Sequence, residues 1–318
     1  MRIDVFNGDA DGICALIQLR LDKPCESKLV TGTKRDILLL EKLPVEHDDE
    51  VTVLDISLET NRQGLARILD AGAHVFYVDH HQSGAIPMHS RLTTLIDMNS
   101  NVCTSLLVNG LLRGKYSEWA VTAAFGDNMT QQAQQLALSL KLSDADLSNL
   151  KELGQCLNYN SYGGTISDLH FAPDLLYREM VGYPSPLEFI KDNQYIYQKL
   201  LAGYQDDMAQ ALKTKAEFSS NLVGVYILPD EAWARRVSGV FGNMLANQNP
   251  SRAHAVVSYN AQGGFQVSVR APQINKNGAD ELCSAFPTGG GRKSAAGINH
   301  LSVEQLPAFI RAFAEKYN

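Results

Sequence analysis

The chain has 318 residues, 45% of them apolar, and a formal net charge of −7. That length supports two cores rather than one, and the acidic balance excludes a broad, sequence-independent grip on long nucleic acid, which depends on many Lys and Arg contacts to phosphate. No stretch reaches the roughly 18 to 20 uncharged apolar residues that span a bilayer, and MRIDVFNG reads at once as a strand rather than a signal peptide, so a cytoplasmic protein with no membrane partner is expected.

The first 130 residues alternate short apolar runs with helical patterns: RIDVF, ICALIQLRL, EVTVLDI, GLARILDAG, HVFYVDHH, TLIDM and SLLVNGLL. Such alternation predicts βαβ units and a parallel sheet. QQAQQLALSL and DADLSNLKELGQCL read as helices, and NYNSYGGTISDLHFAPD as a loop able to cover a cleft. Within it Tyr159 or Tyr162 offers a ring for stacking on a base, although packing is the commoner use of such aromatics. From Pro186 to about Ser219 the pattern predicts one connecting helix. Beyond it come strand NLVGVYIL, helix ARRVSGVFGNMLAN, a hairpin of AHAVVSY and FQVSVRA turning through Asn260 to Gly264, helix ADELCSAF, a glycine loop and a last helix. The fold class is therefore α/β: a parallel-sheet domain over 1–185, a helical linker over 186–220 and a smaller α/β domain with a mixed sheet over 221–318. The five cysteines (Cys14, Cys25, Cys103, Cys156, Cys283) are scattered without Cys-x-x-Cys spacing, which suits a reducing compartment without disulfides.

Four places in the first domain put acidic residues at or just beyond the end of an apolar run, where open α/β sheets collect ligands. They are Asp9 and Asp11 in NGDADG, Asp55 in VTVLDIS, Asp79 with His80 and His81 in VFYVDHH, and Asp127 in AAFGDN. Any one of these aspartates also reads as a turn former or helix cap, Asp11 included. The paired histidines are harder to place that way, because a buried strand end has no use for polar rings without partners. A mixed set of carboxylates and imidazole favours Mn²⁺ or a similar divalent ion.

In order and rough spacing, NGDADG, the lone Asp55, Asp79-His80-His81 and the later GDN resemble the four motifs of the DHH phosphoesterase superfamily. VSVRAP followed by TGGGRKSAAG is similar to the Arg-bearing strand and glycine loop of the DHH-associated C-terminal domain, so the resemblance reaches both ends of the chain. It implies a nanoRNase or RecJ-like hydrolase in which Asp9, Asp11, Asp55, His80 and Asp127 hold two Mn²⁺ ions, with Mg²⁺ or another divalent ion as the alternative. Asp55 bridges them, and Asp79 and His81 act close to the substrate. Two ions about 3.5 to 4 Å apart lower the pKa of a bound water and neutralise charge on the phosphoryl group. The resemblance further implies that Arg270, Gly289, Gly290, Gly291 and Arg292 hold another phosphate of the substrate. Arg292 stands where the family usually has histidine, which keeps a cation but removes a proton donor. The histidine that some branches carry before the first Asp pair is absent, the nearby positions being Val5, Phe6 and Asn7; Asn7 is then a candidate to contact a metal-bound water or to shape the turn.

With no further module to grip a long strand, the expected substrate is a short oligonucleotide or related nucleotide lying between the domains. Hydrolysis of polyphosphate or pyrophosphate, or a weakly catalytic nucleotide-binding regulator, are the alternatives. The oligomeric state, a homodimer included, is left open.

Overall fold

A computed structural model describes residues 1–317. It divides the chain into two units, Met1–Ser161 with Thr165–Leu201, and Tyr162–Gly164 with Ala202 onward.

The first unit is built from β1 (Arg2–Phe6), α1 (Ala10–Asp22), β2 (Lys28–Val30), β3 (Glu50–Leu54), α2 (Arg62–Asp70), β4 (His74–Asp79) and β5 (Leu92–Ile96). A run of helices follows: α3 (Thr104–Leu111), α4 (Ser117–Gly126), α5 (Thr130–Ala137), α6 (Asp144–Asn160), α7 (Pro173–Met180), α8 (Pro186–Asp192) and α9 (Gln194–Ala211). The five strands form one parallel sheet in the order β2-β1-β3-β4-β5. Apolar residues at alternate strand positions, Ile3, Val5, Val51, Val53, Val75 and Tyr77, turn one face toward Leu65, Ile68 and Leu69 of α2. The chain leaves β1 in one direction toward β2 and later returns on its other side as β3. The carboxyl ends of β1 and β3 therefore flank a topological switch point, where crevices form in open α/β sheets. The register aligns Phe6, Leu54 and Val78, which brings the residues just beyond them to one rim.

The connection expected as one helix over 186–219 is two helices broken at Asn193, whose backbone (φ −109°, ψ 61°) leaves the helical region. The second helix stops at Ala211, and the boundary between units falls inside it. The loop expected from Asn158 begins inside α6, where Tyr159 is fully buried and its hydroxyl pairs with His170 Nε2 at 2.7 Å. Tyr159 is a packing residue rather than a stacking platform.

The second unit contains β6 (Phe218–Ser219), β7 (Val223–Ile227), α10 (Ala232–Gln248), β8 (Ala253–Tyr259), β9 (Phe265–Arg270), α11 (Ala279–Ser284), β10 (Gly289–Gly291), β11 (Ala295–Leu301) and α12 (Leu306–Tyr317). Its sheet runs β10-β11-β9-β8-β7-β6 and is mixed, β7 and β8 being parallel and the other pairs antiparallel. Phe309 and Phe313 of α12 and Leu282 of α11 close its core against Val225, Val257, Val267 and Val269. The glycine triplet, expected as a loop, is an edge strand paired in register with Ile298, Gly297 and Ala296. Gly289 is required there by proximity, since a Cβ would lie 1.8 Å from the carbonyl oxygen of Cys283.

Candidate metal centre at the switch point

Directly after β1 the chain makes a tight turn into α1. A Cβ on Gly8 would lie 2.0 Å from the Gly32 carbonyl oxygen and one on Gly12 2.2 Å from that of Asn7, so only glycine allows this path. The N-cap of α1 is Asp9, whose Oδ1 accepts from the Asp11 and Gly12 amides at 3.0 and 3.1 Å. Asp11 instead reaches across to α3, accepting the Thr104 amide on Oδ2 (2.8 Å) and the Ser105 amide on Oδ1 (2.7 Å). It thereby caps a helix whose own N-cap residue, Cys103, makes no side-chain bond to the helix amides.

Asp55 follows β3 with φ at +61°, a conformation that costs a non-glycine residue energy and persists where the surroundings over-determine it. Its Oδ1 accepts the Thr104 hydroxyl at 3.0 Å, so Thr104 ties Asp55 and Asp11 together. Asp127 stands at the C-cap of α4. A carboxylate at that end of a helix faces the negative pole of the backbone dipoles and gains from a neighbouring cation.

These groups converge on His80. Its Nε2 lies 3.3 Å from Asp55 Oδ1, 3.8 Å from Asp11 Oδ2 and 3.8 Å from Asp127 Oδ2. Its Nδ1 lies 2.8 Å from the Val102 carbonyl oxygen. Since a carbonyl only accepts, Nδ1 carries hydrogen, and a neutral ring then turns its Nε2 lone pair toward three carboxylates. Acceptors converging in this way require a cation or an additional proton among them. Burial, together with Asp11, Asp9 and Asp127, pushes the Asp55 carboxyl well above its ordinary value, while Lys34 opposes the shift. The donor set fits a divalent ion: Asp55 with His80 and His81, and Asp11 with His80 and Asp127, each form a group whose potential ligand atoms lie within 4.8 Å of one another.

Asp79 is turned to another use. Its Oδ1 accepts from His81 Nδ1 at 2.8 Å, which fixes that ring and leaves Nε2 as its other nitrogen. His81 is the more exposed of the pair, with 32% of its side chain accessible against 2% for His80. Asn7 is buried at the end of β1, and its Oδ1 has no hydrogen-bond partner among the described residues.

Lys34, Thr104, Ser105 and Asn158 belong to this cluster and were not expected from sequence. Lys34 Nζ bonds to Asp9 Oδ2 and lies 3.1 Å from Asn158 Oδ1 and 3.5 Å from Asp127 Oδ1. A lysine in the loop after the short β2, at the carboxyl side of the sheet, was the available signal for it.

In the second unit, β9, β11 and β10 are neighbours. Arg270 pairs with Ala295, whose backbone also exchanges hydrogen bonds with Arg292, so both arginines sit at one end of the sheet. The Arg270 guanidinium is fixed by Asn243 Oδ1 at 2.6 Å and the Gly239 carbonyl at 3.2 Å.

No protein-family model matches the chain, and no curated protein is similar to it in sequence. Solved structures do match. A DHH-domain member of the s1p family of ribosomal proteins aligns with 99% of this chain and 85% of its own, at 15% identity and a TM-score of 0.61. RecJ of Thermus thermophilus, solved in complex with Mn²⁺, aligns with the whole chain at 18% identity and a TM-score of 0.64, this chain spanning 52% of its length. PggH, a pGpG-specific phosphodiesterase from Vibrio cholerae, aligns with 99% of this chain and 97% of its own, at 13% identity and a TM-score of 0.56. Identities this low carry the fold and nothing finer: the chain shares the fold of these DHH-domain, RecJ and PggH structures.

Proposed function

We propose that the protein is a metal-dependent phosphoesterase that hydrolyses phosphodiester bonds of short oligonucleotides or related nucleotides. The observation that carries this reading is the convergence of Asp11, Asp55 and Asp127 on the Nε2 of a histidine whose Nδ1 is held by a backbone carbonyl. These four residues are the ligands of a divalent ion, and the nitrogen and oxygen mixture favours Mn²⁺, the ion present in the similarly folded RecJ. When bound, such an ion lowers the pKa of a coordinated water and neutralises charge on a phosphoryl oxygen.

The rest of the chemistry belongs to side chains. Thr104 orients the Asp55 carboxylate, and the amides of Thr104 and Ser105 hold Asp11 in one rotamer. Held through Nδ1 by Asp79, His81 offers Nε2 to a phosphate oxygen or, when protonated, to the leaving alkoxide. Arg270, Arg292 and the glycines of β10 supply the cationic and close-approach surface for a second phosphate, and Asn7 lines the turn beside the centre. A phosphodiester is favoured over polyphosphate by the presence of a phosphodiesterase, PggH, among the similar folds, and because two arginines make only a short cationic track. Among the described residues no helix is long and apolar enough to cross a membrane. The five cysteines form no disulfide among the described residues, which suits the cytoplasm, where we place the protein.

Product analysis after incubation with Mn²⁺ and a dinucleotide, a longer single strand, a cyclic dinucleotide and polyphosphate tests the proposal, with Asp55→Asn as control. Rapid cleavage of a phosphodiester by the wild type alone is expected. Turnover of polyphosphate alone, or of nothing while metal is bound, would overturn it.

A further inference from the structure

We infer that Lys34 is a resident cation of this centre, occupying the place of a second metal ion, so that the site takes one divalent ion rather than two. The inference rests on the metal-centre reading above and adds how many ions the centre accepts.

Asp9 is the first ground. A paired-ion site needs it as a ligand, yet both of its carboxylate oxygens are engaged within the protein. Oδ1 caps α1 through the amides of Asp11 and Gly12, and Oδ2 is bonded to Lys34 Nζ. An ammonium group has three N–H donors, and three oxygens face this one: Asp9 Oδ2, Asn158 Oδ1 at 3.1 Å and Asp127 Oδ1 at 3.5 Å.

The lysine is also built into its position. Its own amide donates to the Ser161 carbonyl at 2.9 Å, while the preceding Thr33 is fixed through both its amide and its hydroxyl to Asp36 Oδ2 at 2.7 and 3.1 Å. The backbone that carries the ammonium is thus tethered to the end of α6 and to its own turn. Only 22% of the Lys34 side chain is exposed, and Asp9 beneath it is at 2%.

Asp127 marks the division between two cation positions. Its Oδ1 faces Lys34 at 3.5 Å, and its Oδ2 faces His80 at 3.8 Å. One position, bounded by Asp11, Asp55, His80 and Asp127 Oδ2, would take the divalent ion. The other, bounded by Asp9, Asn158 and Asp127 Oδ1, already holds a positive charge. Charge agrees with this division. Against the four carboxylates Asp9, Asp11, Asp55 and Asp127, one divalent ion plus Lys34 leaves a balance of −1, whereas two ions plus Lys34 would leave +1. Lys34 is accordingly a positioning residue. It keeps Asp9 and Asp127 in place and presents a fixed ammonium beside the ion at every metal concentration.

The test is Mn²⁺ stoichiometry by equilibrium dialysis, together with electron paramagnetic resonance of the saturated protein, on the wild type, Lys34→Gln and Lys34→Arg. The wild type and Lys34→Arg are expected to bind one ion and to give the hyperfine-resolved signal of isolated Mn²⁺. Lys34→Gln, which frees Asp9 Oδ2 and Asp127 Oδ1, is expected to bind two and to give a spin-coupled signal. Two ions in the wild type, or one ion in a folded Lys34→Gln, would overturn the inference while leaving the metal-centre reading intact. No ion in the wild type would overturn both. The wild-type resonance signal decides the matter even if Lys34→Gln does not fold.

Discussion

His80 Nε2 and Asp55 Oδ1 lie 3.3 Å apart at the carboxyl end of the first sheet, each side chain only 2% exposed. Since Nδ1 of the same ring is committed to the Val102 carbonyl, the pair needs a cation or an extra proton between them. The metal affinity proposed for the centre and its cost to stability both follow from that arrangement.

Without metal, the charge on Asp55 opposes folding. Burial and three neighbouring carboxylates raise its folded-state pKa above the unfolded value. Stability therefore falls as pH rises from the unfolded pKa through the folded one, because the folded state holds the proton that the unfolded chain has already released. Asp55→Asn removes that charge and keeps a residue type that tolerates φ of +61°. In chelator the variant should melt at a higher temperature than the wild type. With Mn²⁺ at a hundred times its Kd, linkage adds about 2.7 kcal/mol to the wild type alone and the order should reverse. Thermal unfolding with and without Mn²⁺ measures both.

In the proposed centre, Thr104 acts on the ligands Asp55 and Asp11 rather than on the substrate. Thr104→Val keeps its shape but removes the hydroxyl that orients Asp55. Loss of such a bond to a ligand is expected to weaken Mn²⁺ binding roughly 10- to 100-fold, with an effect of about 1 kcal/mol on stability. Isothermal titration of the folded variant checks the first value and urea unfolding the second.

His81 separates from His80 in the same assay. His81→Ala removes a ring that Asp79 orients. It is expected to lower kcat by roughly 10²-fold or more, the usual size of a general acid-base contribution, with Mn²⁺ affinity little changed. A large fall in affinity would make His81 a ligand instead.

Gly126 sets the distance between α4 and α1. A Cβ there would lie 2.4 Å from the Ala10 Cβ, so Gly126→Ala must push the helices apart, at a cost of about 1 to 3 kcal/mol. Because Asp127 and Asp11 ride on those helices, Mn²⁺ affinity should fall with stability.

The second unit carries its own pH signature. His254 in β8 is fully buried, and burial, with Arg252 adding to it, lowers its pKa from 6.5 to about 4. The unfolded chain gains the proton first on acidification, so the stability present above pH 6.5 is lost as pH falls toward 4, by roughly 3 kcal/mol. His254→Phe should remove this part of the acid sensitivity, read as the difference between the two unfolding curves at about pH 7.5 and about pH 4.5.

The parallel sheet and the acidic rim were legible in sequence because both depend on local pattern: apolar runs of strand length, each ending in a residue with chemistry. The mixed second sheet was legible for the same reason, through the hairpin about Asn260 to Gly264. What escaped were contacts between distant parts of the chain. Lys34 meets Asp9 and Asn158 across 25 and 124 residues, and Thr104 meets Asp11 across 93, separations that no periodicity encodes. Asp11 was open to a reading as the cap of its own helix; the structure gives that role to Asp9 and has Asp11 cap α3. The strand at Gly289–Gly291 escaped because glycine has low strand propensity, and its pairing comes from the partner strand and from packing against the end of α11. The break at Asn193 had no Gly or Pro to announce it.

The most direct test of the metal centre is anomalous diffraction at the manganese edge from crystals soaked in Mn²⁺. The account predicts density bounded by Asp11, Asp55, His80 and Asp127, lost in His80→Ala. Well-ordered crystals in which these four side chains hold no ion, with manganese bound elsewhere or nowhere, would contradict it.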